Sequence, residues 1–319
     1  MKEEEYQFIL FDRVEKIKQI ASEYDLENNS YIAFSGGKDS TVLHYLIDLA
    51  LPNNKIPRVY LNTGIEYQEV RKFVQELAKN DNRIIVLNSG VNIKQMLEKE
   101  GYPFKSKEHS VKVEQYKKGS RAKNVIDYRY RENFGCPKIL QYQYEDDFEL
   151  HISNKCCYKL KKEVAHKWQR DNNKSIVITG MLKEEGGQRI TTNCIITDIK
   201  GNVNKFHPLS VVTKKFEDEF IKRNNIQLCK LYYPPYNFKR TGCKGCPFNL
   251  NLQKDLDVME KFLPNEKKQC EIIWKPVYDE YRRIGYRLRK KKEYEQISIF
   301  DFEECNDFGA CACFSEMDN

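Results

Sequence analysis

Tyr31-Ile-Ala-Phe-Ser-Gly-Gly-Lys-Asp-Ser-Thr41 is the stretch whose reading decides the fold of this chain. The apolar run at residues 31–34 reads as a buried strand. After two glycines a helical pattern begins, with Val42, Leu43, Leu46, Ile47 and Ala50 on one face. Residues 35–40 are therefore a strand-to-helix turn. Such a turn aims free backbone N–H groups and the positive end of a helix dipole at one point, which suits an anion. Gly36 and Gly37 let those amides approach a ligand with no Cβ in the way. Lys38 adds positive charge, Ser35 and Ser40 add hydroxyls, and Asp39 offers a carboxylate to a metal ion on phosphates. The spacer and the Gly-Lys-Ser/Thr ending of a Walker loop are missing.

Outward from this turn, strands and helices alternate. Residues 6–24 make an amphipathic helix with Leu10, Val14, Ile17, Ala21 and Tyr24 on one face, expected to cover the sheet. Arg58-Val-Tyr-Leu-Asn62, Arg83-Ile-Ile-Val-Leu87 and Ser175-Ile-Val-Ile-Thr-Gly180 read as further strands. Val70, Phe73, Val74 and Leu77 mark one intervening helix and residues 91–99 another. This pattern implies an α/β fold, a doubly wound parallel sheet of βαβ units. Ligands of such sheets sit beyond the carboxyl ends of the strands. Asn62, Thr63, Gly64, Gly180 and Arg189 are thus expected beside the loop as ligand contacts.

The chain has 319 residues, 32% charged and 40% hydrophobic. That allows one large or two smaller domains. No apolar run approaches the ~18 residues of a membrane helix, and the N-terminus lacks a signal-peptide core. A cytoplasmic protein without membrane contact is expected. The net charge of +7 is uneven: eight acids and no Lys or Arg follow position 292, leaving about +15 on the rest. The expected organisation is a nucleotide-binding domain at 1–235, a cysteine-bearing helical part at 236–292 and an acidic, flexible tail at 293–319. Within the first domain, residues 101–150 form an irregular basic insert rich in Lys, Arg and Tyr. Together with the strip from Arg282 to Lys292, read as a helix, it is a candidate surface for a nucleic acid.

Eleven cysteines in such a chain point to metal or redox chemistry rather than disulfides. Cys156-Cys157 and Cys243-Lys-Gly-Cys246 supply four thiolates, which suit zinc or an iron–sulfur cluster. Adjacent cysteines are awkward on one tetrahedral ion, whereas a 4Fe–4S cube accepts neighbours more easily, so zinc is the second choice. Cys136, Cys194, Cys229 and Cys270 read as free thiols.

The loop Ser35-Gly-Gly-Lys-Asp-Ser40 resembles the pyrophosphate loop of the ATP pyrophosphatase superfamily. The cysteine set resembles the cluster motif of the iron–sulfur branch of the PAPS reductase family. Val59-Tyr-Leu-Asn-Thr-Gly64 with Glu66, the segment from Gly180 to Arg189, and His207-Pro-Leu-Ser210 fit that family in the same order. Departures fall at Asn62, Leu182 and Gly187. The resemblance implies an adenine nucleotide alpha hydrolase-like fold and ATP with Mg²⁺ as ligands. It implies pyrophosphate binding by Ser35, Gly36, Gly37 and Ser40, with Lys38 and Asp39 catalytic, and a 4Fe–4S cluster on Cys156, Cys157, Cys243 and Cys246.

An intact loop beside four cysteines is more like the sulfur-transfer members of the superfamily than the reductases. The reductases carry a C-terminal Glu-Cys-Gly-x-His, and here Glu304-Cys305-Asn-Asp stands in its place. The expected activity is cleavage of ATP to AMP and pyrophosphate, activating an acceptor for sulfur. The expected partners are tRNA or DNA and a sulfur-donor protein. A reductase releasing sulfite from APS or PAPS is the first alternative. A non-catalytic nucleic-acid-binding protein is the second. Gln296-Ile-Ser-Ile-Phe300 resembles a sliding-clamp docking peptide.

Overall fold

The computed structural model describes residues 1–290. Six strands form one sheet: β1 (Ser30–Ala33), β2 (Arg58–Asn62), β3 (Ile84–Asn88), β4 (Ile176–Ile178), β5 (Ile195–Thr197) and β6 (Val203–Phe206). Their order is β3-β2-β1-β4-β6-β5. All neighbours are parallel except β5 and β6. The fold is thus α/β with a mostly parallel sheet, as the alternation requires. The chain leaves β1 first towards β2 and later returns on its other side as β4. The carboxyl end of β1 is therefore the switch point where such sheets bind ligands. The β5–β6 hairpin is not legible in the sequence, because its strands are short and Val203-Asn-Lys-Phe206 lacks a run of apolar residues.

The helices of the first half are α1 (Glu3–Tyr24), α2 (Leu26–Asn29), α3 (Lys38–Ala50), α4 (Gln68–Asn80), α5 (Ile93–Glu100), α6 (Lys107–Lys117) and α7 (Lys123–Tyr130). Then follow α8 (Lys155–Cys157), α9 (Glu163–Asp171), α10 (Lys214–Arg223), α11 (Leu252–Phe262), α12 (Pro264–Ile273) and α13 (Lys275–Ile284). α1 buries Tyr6, Arg13, Ile17 and Ile20. It packs on α3 and α10, so it covers helices rather than the sheet as expected.

Two cores result. Ile32, Val42, Leu46, Ile178, Phe206 and Phe216 join the sheet to α1, α3 and α10. Phe34, Tyr60, Val70 and Val74 belong to the other core, which also takes in Val113, Tyr128 and Tyr144 and the C-terminal Met259, Trp274 and Tyr278. The segment at 101–150 is accordingly not irregular. It holds α6, α7 and a 3-10 turn, Lys138–Tyr144, and it docks on α13 through an edge contact of Phe104 and Tyr281 at 4.5 Å. Burying aromatic and aliphatic side chains at about 1.5–3 kcal/mol each makes this helical layer part of the fold rather than an appendage.

Many cations of these segments face protein partners. Lys118 pairs with Glu114 and Arg129 with Glu145, and Arg121 stacks on Tyr116 at 4.0 Å. The strip after Arg282 is not one helix, since α13 ends at Ile284 and Gly285 turns left-handed at φ 67°. Arg282 pairs with Glu271, Arg283 with Glu280 and Arg289 with Asp257. Part of each basic surface is thus paired with acids, which sequence spacing alone does not reveal. The tail, with Gln296, Phe300, Cys305, Cys311 and Cys313, lies outside the described residues. Among the described residues no helix is long and apolar enough to cross a membrane.

Candidate nucleotide and cysteine site

The glycine turn does what its composition requires. Gly36 has φ +68°, and a Cβ there would lie 2.6 Å from Val74. Gly37 begins α3, so Lys38, Asp39 and Ser40 form its first turn. Ser35 and Ser40 hold the turn closed: their hydroxyls are 3.0 Å apart, and Ser35 N–H donates to Ser40 Oγ at 3.2 Å. Gly180 lies beneath it. A Cβ on Gly180 would lie 2.6 Å from Asp39 O, so this residue supports the loop by close packing.

A cavity of about 370 Å³ opens over the loop. Ser35, Gly37, Lys38, Asp39 and Ser40 line one side. Glu66 and Lys161 line another, and Tyr232, Lys239, Arg240, Thr241 and Gly242 close it from above. The Tyr232–Gly242 wall was missed from sequence. Only the cluster Lys239-Arg240-Thr241-Gly242 beside Cys243 hints at it. Lys38 N–H donates to Tyr232 Oη at 2.9 Å, and that hydroxyl lies 2.8 Å from Thr241 Oγ1.

The Lys38 ammonium points back to α10. It lies 3.0 Å from Asp218 and 3.9 Å from Glu217, whose side chain is fully buried. Both Glu217 oxygens lack a hydrogen-bond partner. Burial, with the nearby Asp39 charge, pushes the Glu217 carboxyl up to about 8. Burial also raises Asp39, against the pull of Lys38, Arg240 and Arg189. Asp39 is thus a carboxylate in a half-enclosed site, with no direct ion pair among the described residues, and it suits a divalent cation.

The other expected contacts sit differently. Asn62 Nδ2 donates to Asn88 Oδ1 at 2.8 Å, and Asn62 and Gly64 line a second, smaller cavity. Thr63 is buried and donates through Oγ1 to Glu66 at 2.6 Å. Arg189 pairs with Glu185, which also holds Arg240 at 2.8 Å. His109 is buried against Gln143, and His207 Nδ1 is 2.7 Å from Thr179 Oγ1; neither lines the cavity over the loop.

The four expected cysteines come together from segments 86 residues apart in sequence at nearest (157 to 243). α8 passes directly into a π-helical turn, Tyr158–Lys162, before α9. Cys156 and Cys157 lie on its near side with Sγ atoms 4.0 Å apart. The Cys243–Cys246 turn is pinned by carbonyl contacts. Trp274 Nε1 donates to Lys244 O at 3.1 Å, Tyr278 Oη to Gly245 O at 2.5 Å and Tyr281 Oη to Pro247 O at 2.9 Å. Cys157, Cys243 and Cys246 line a cavity of about 450 Å³. Its wall shares Lys161, Lys239, Arg240 and Gly242 with the cavity over the loop.

The thiols perturb one another. Cys156 is held up by Cys157 and by burial, with Cys243 and Cys246 adding to it. Cys157 is drawn down to about 6 by its bond with Cys156 and by Lys107, Lys161 and Lys162. A single zinc needs its sulfurs roughly 3.8 Å apart, from Zn–S bonds of about 2.3 Å. Among the described residues no three of these sulfurs lie within 4.8 Å of one another. The four thiols are a donor set that zinc or an iron–sulfur cluster takes. Cys136 lines neither cavity, and burial pushes its thiol up to about 11. His44, Asp48 and Asp81 also bring ligand-type atoms within 4.8 Å. Arg58 and Arg83 pair with those carboxylates at 2.6–2.8 Å, so that group is an ion-pair network.

The sequence of a Methanocaldococcus jannaschii protein of uncharacterized function is 33% identical over 103 residues, 30% of this chain. The match spans a quarter of the length of that protein. Solved structures similar to the chain include phosphoadenylyl-sulfate reductase from Candida auris: 14% identity, 76% of this chain and 96% of that one, TM-score 0.43. They also include an NH3-dependent NAD synthetase from Campylobacter jejuni (13%, 85% and 94%, TM-score 0.40). A third is the U34-tRNA thiolase of Methanococcus maripaludis with its [4Fe-4S] cluster (14%, 85% and 79%, TM-score 0.38). The profile of the phosphoadenosine phosphosulfate reductase domain matches residues 29–132 and 123–249, from β1 through the last of the four cysteines. The chain belongs to the phosphoadenosine phosphosulfate reductase domain family.

Proposed function

We propose that the chain is an AMP-forming ATP pyrophosphatase that activates an acceptor for sulfur transfer. One observation carries this reading: the cavity over the intact loop and the cavity of the thiols share the wall made by Lys161, Lys239, Arg240 and Gly242. A nucleotide on the loop and sulfur at the cysteines would then be neighbours. A 4Fe–4S cluster on Cys156, Cys157, Cys243 and Cys246 would hold or orient sulfur, and Mg²⁺ on Asp39 would offset phosphate charge.

The loop amides and the Ser35 and Ser40 hydroxyls receive the β and γ phosphates at the start of α3. Lys239 and Arg240 would meet the charge that develops as pyrophosphate leaves, and Lys38 would join them by turning from Asp218. An acceptor oxygen attacks the α phosphorus, the bond to pyrophosphate breaks, and the acceptor carries AMP. Sulfide from a donor then displaces AMP, so oxygen leaves with the nucleotide and sulfur stays on the acceptor. Lys161, which approaches the Cys243 sulfur, stands between the two cavities to steady an anionic sulfur. The acceptor in this reading is a tRNA or DNA base or backbone, reached from the mouth at Lys239 and Arg240.

The test is anaerobic incubation of the full chain with ATP–Mg²⁺, a sulfide source and tRNA or DNA. AMP and pyrophosphate, formed together with thiolated nucleic acid, are the expected products. Family membership favours one second reading, reduction of APS or PAPS. Sulfite released from either nucleotide by a thiol donor, with ATP ignored, would put that reading in its place.

A further inference from the structure

A separate cavity of about 250 Å³ lies across Glu66 from the loop, beyond the carboxyl end of β2. Asn62 lines it from the end of β2, Gln68 and Arg71 from α4, Lys244 from the turn between Cys243 and Cys246, and Glu266 and Gln269 from α12. Four charged side chains line it, Glu66, Arg71, Lys244 and Glu266, and two of opposite sign are buried in its wall. Lys244 is 5% exposed and Glu266 6%. The ammonium has a neutral partner: Lys244 Nζ donates to Gln269 Oε1 at 2.6 Å, and among the described residues it forms no ion pair. The carboxylate is half satisfied. Glu266 Oε1 accepts the N–H of Gln68 at 2.7 Å, while Oε2 is buried with no hydrogen-bond partner.

Glu266 and Gln269 stand three residues apart on α12, so they are surface neighbours. Glu266 and the amide-held Lys244 therefore both line the cavity about one helical turn apart, with the bare carboxylate oxygen shut off from solvent. Burying two charges without an opposite partner is expensive unless a ligand completes both. The complement is a small molecule with an ammonium and a carboxylate close together. We propose that this cavity binds a free α-amino acid, with its ammonium on Glu266 Oε2 and its carboxylate on Lys244 Nζ. The assignment rests on this cavity alone and does not require the loop to cleave ATP. Glu66 lines both cavities, so the amino acid is separated from the nucleotide site by one side chain.

The experiment is calorimetry on the full chain, prepared anaerobically, with each standard L-amino acid and with acetate and ethylammonium as half-ligands. At least one small amino acid binds with a Kd of about 1 mM or tighter, and the half-ligands bind at least about tenfold more weakly. Glu266→Gln removes the negative charge at constant shape. Gln269→Glu gives Lys244 an internal carboxylate that competes with the ligand. Each variant weakens amino-acid binding about tenfold or more, with near-UV circular dichroism and affinity for ATP–Mg²⁺ unchanged. No L-amino acid bound at about 10 mM, or binding that survives both variants, overturns the proposal. So does parallel loss of ATP binding, which would mean there is no separate site.

Discussion

The backbone N–H of Lys38 donates to the hydroxyl of Tyr232 at 2.9 Å, joining residues 194 apart in sequence. That amide belongs to the first turn of α3, where an anion would otherwise take it. A phosphate that uses it must displace the hydroxyl. Tyr232→Phe leaves the amide without a partner in the empty protein, a penalty of about 1–3 kcal/mol that a bound phosphate relieves. Pyrophosphate and ATP should therefore bind about fivefold or more tightly to the variant by calorimetry. Weaker binding would mean that the hydroxyl is itself a phosphate ligand.

This contact also marks where sequence reading stops. The loop, its strand and its helix were legible because glycine placement, a buried apolar run and a 3.6-residue period all agree at residues 31–50. The four cysteines were legible because their spacing is unusual. Tyr232, Lys239 and Arg240 were not, because nothing local distinguishes a residue that folds back over a site from one on a surface loop. The partners of the basic segments were hidden for the converse reason. A run of Lys and Arg shows charge but not its partners, and Glu271, Glu280 and Asp257 are brought to Arg282, Arg283 and Arg289 only by the packing of the C-terminal helices. Asn62 was placed by its strand end, yet its side chain turns to Asn88 on β3.

The cysteines predict a loaded protein of definite composition. Anaerobically prepared protein should be brown, with about four irons and about four sulfides per chain. Cys243→Ser should bleach it. It should also loosen the C-terminal helices, since the same turn carries the carbonyls held by Trp274, Tyr278 and Tyr281. Metal analysis and hydrogen exchange across α12 and α13 check both parts. Stoichiometric zinc without acid-labile sulfide would contradict the cluster assignment.

Acid stability should be governed by buried histidines. Burial holds His44, His109 and His207 each down to about 4, against an ordinary value of 6.5. A depressed histidine stays neutral in the folded chain while the unfolded chain takes up its proton. The stabilising difference is full above pH 6.5 and is lost as pH falls towards 4. The slope per site approaches about 1.4 kcal/mol per pH unit within that window. Urea midpoints should therefore fall steeply between those limits, and His109→Gln should make the fall shallower. His109 suits this test because it lies in the α6 packing, away from both site cavities.

Lys38 and Asp39 should be separable from stability. Losing one electrostatic contact to a developing charge costs about 2.7–4 kcal/mol, roughly a hundredfold to a thousandfold in rate. Lys38→Ala and Asp39→Asn should each lose that much AMP formation while keeping the iron content of the parent. In Asp39→Asn, ATP binding should also lose its dependence on Mg²⁺. Normal turnover in either variant would remove the loop from the chemistry.

Gly180 offers a test of how the loop is held rather than what it carries. A methyl group there would lie 2.6 Å from Asp39 O and 2.8 Å from Asp39 C, both backbone atoms in the first turn of α3. Neither can swing aside as a side chain would, so the turn must shift by several tenths of an ångström or β4 must retreat. Overpacking of this kind costs about 1–3 kcal/mol. The position of the loop matters more, because a displacement of about 1 Å can cost a hundredfold in a reaction that depends on orientation. Gly180→Ala should therefore lower the thermal midpoint by only a few degrees, about 2–4 °C per kcal/mol at larger domain sizes. Its affinity for ATP–Mg²⁺ should fall by tenfold or more, a larger effect than the stability loss explains. If binding is unchanged while stability drops, the glycine serves only packing, and its closeness to Asp39 has no bearing on the site.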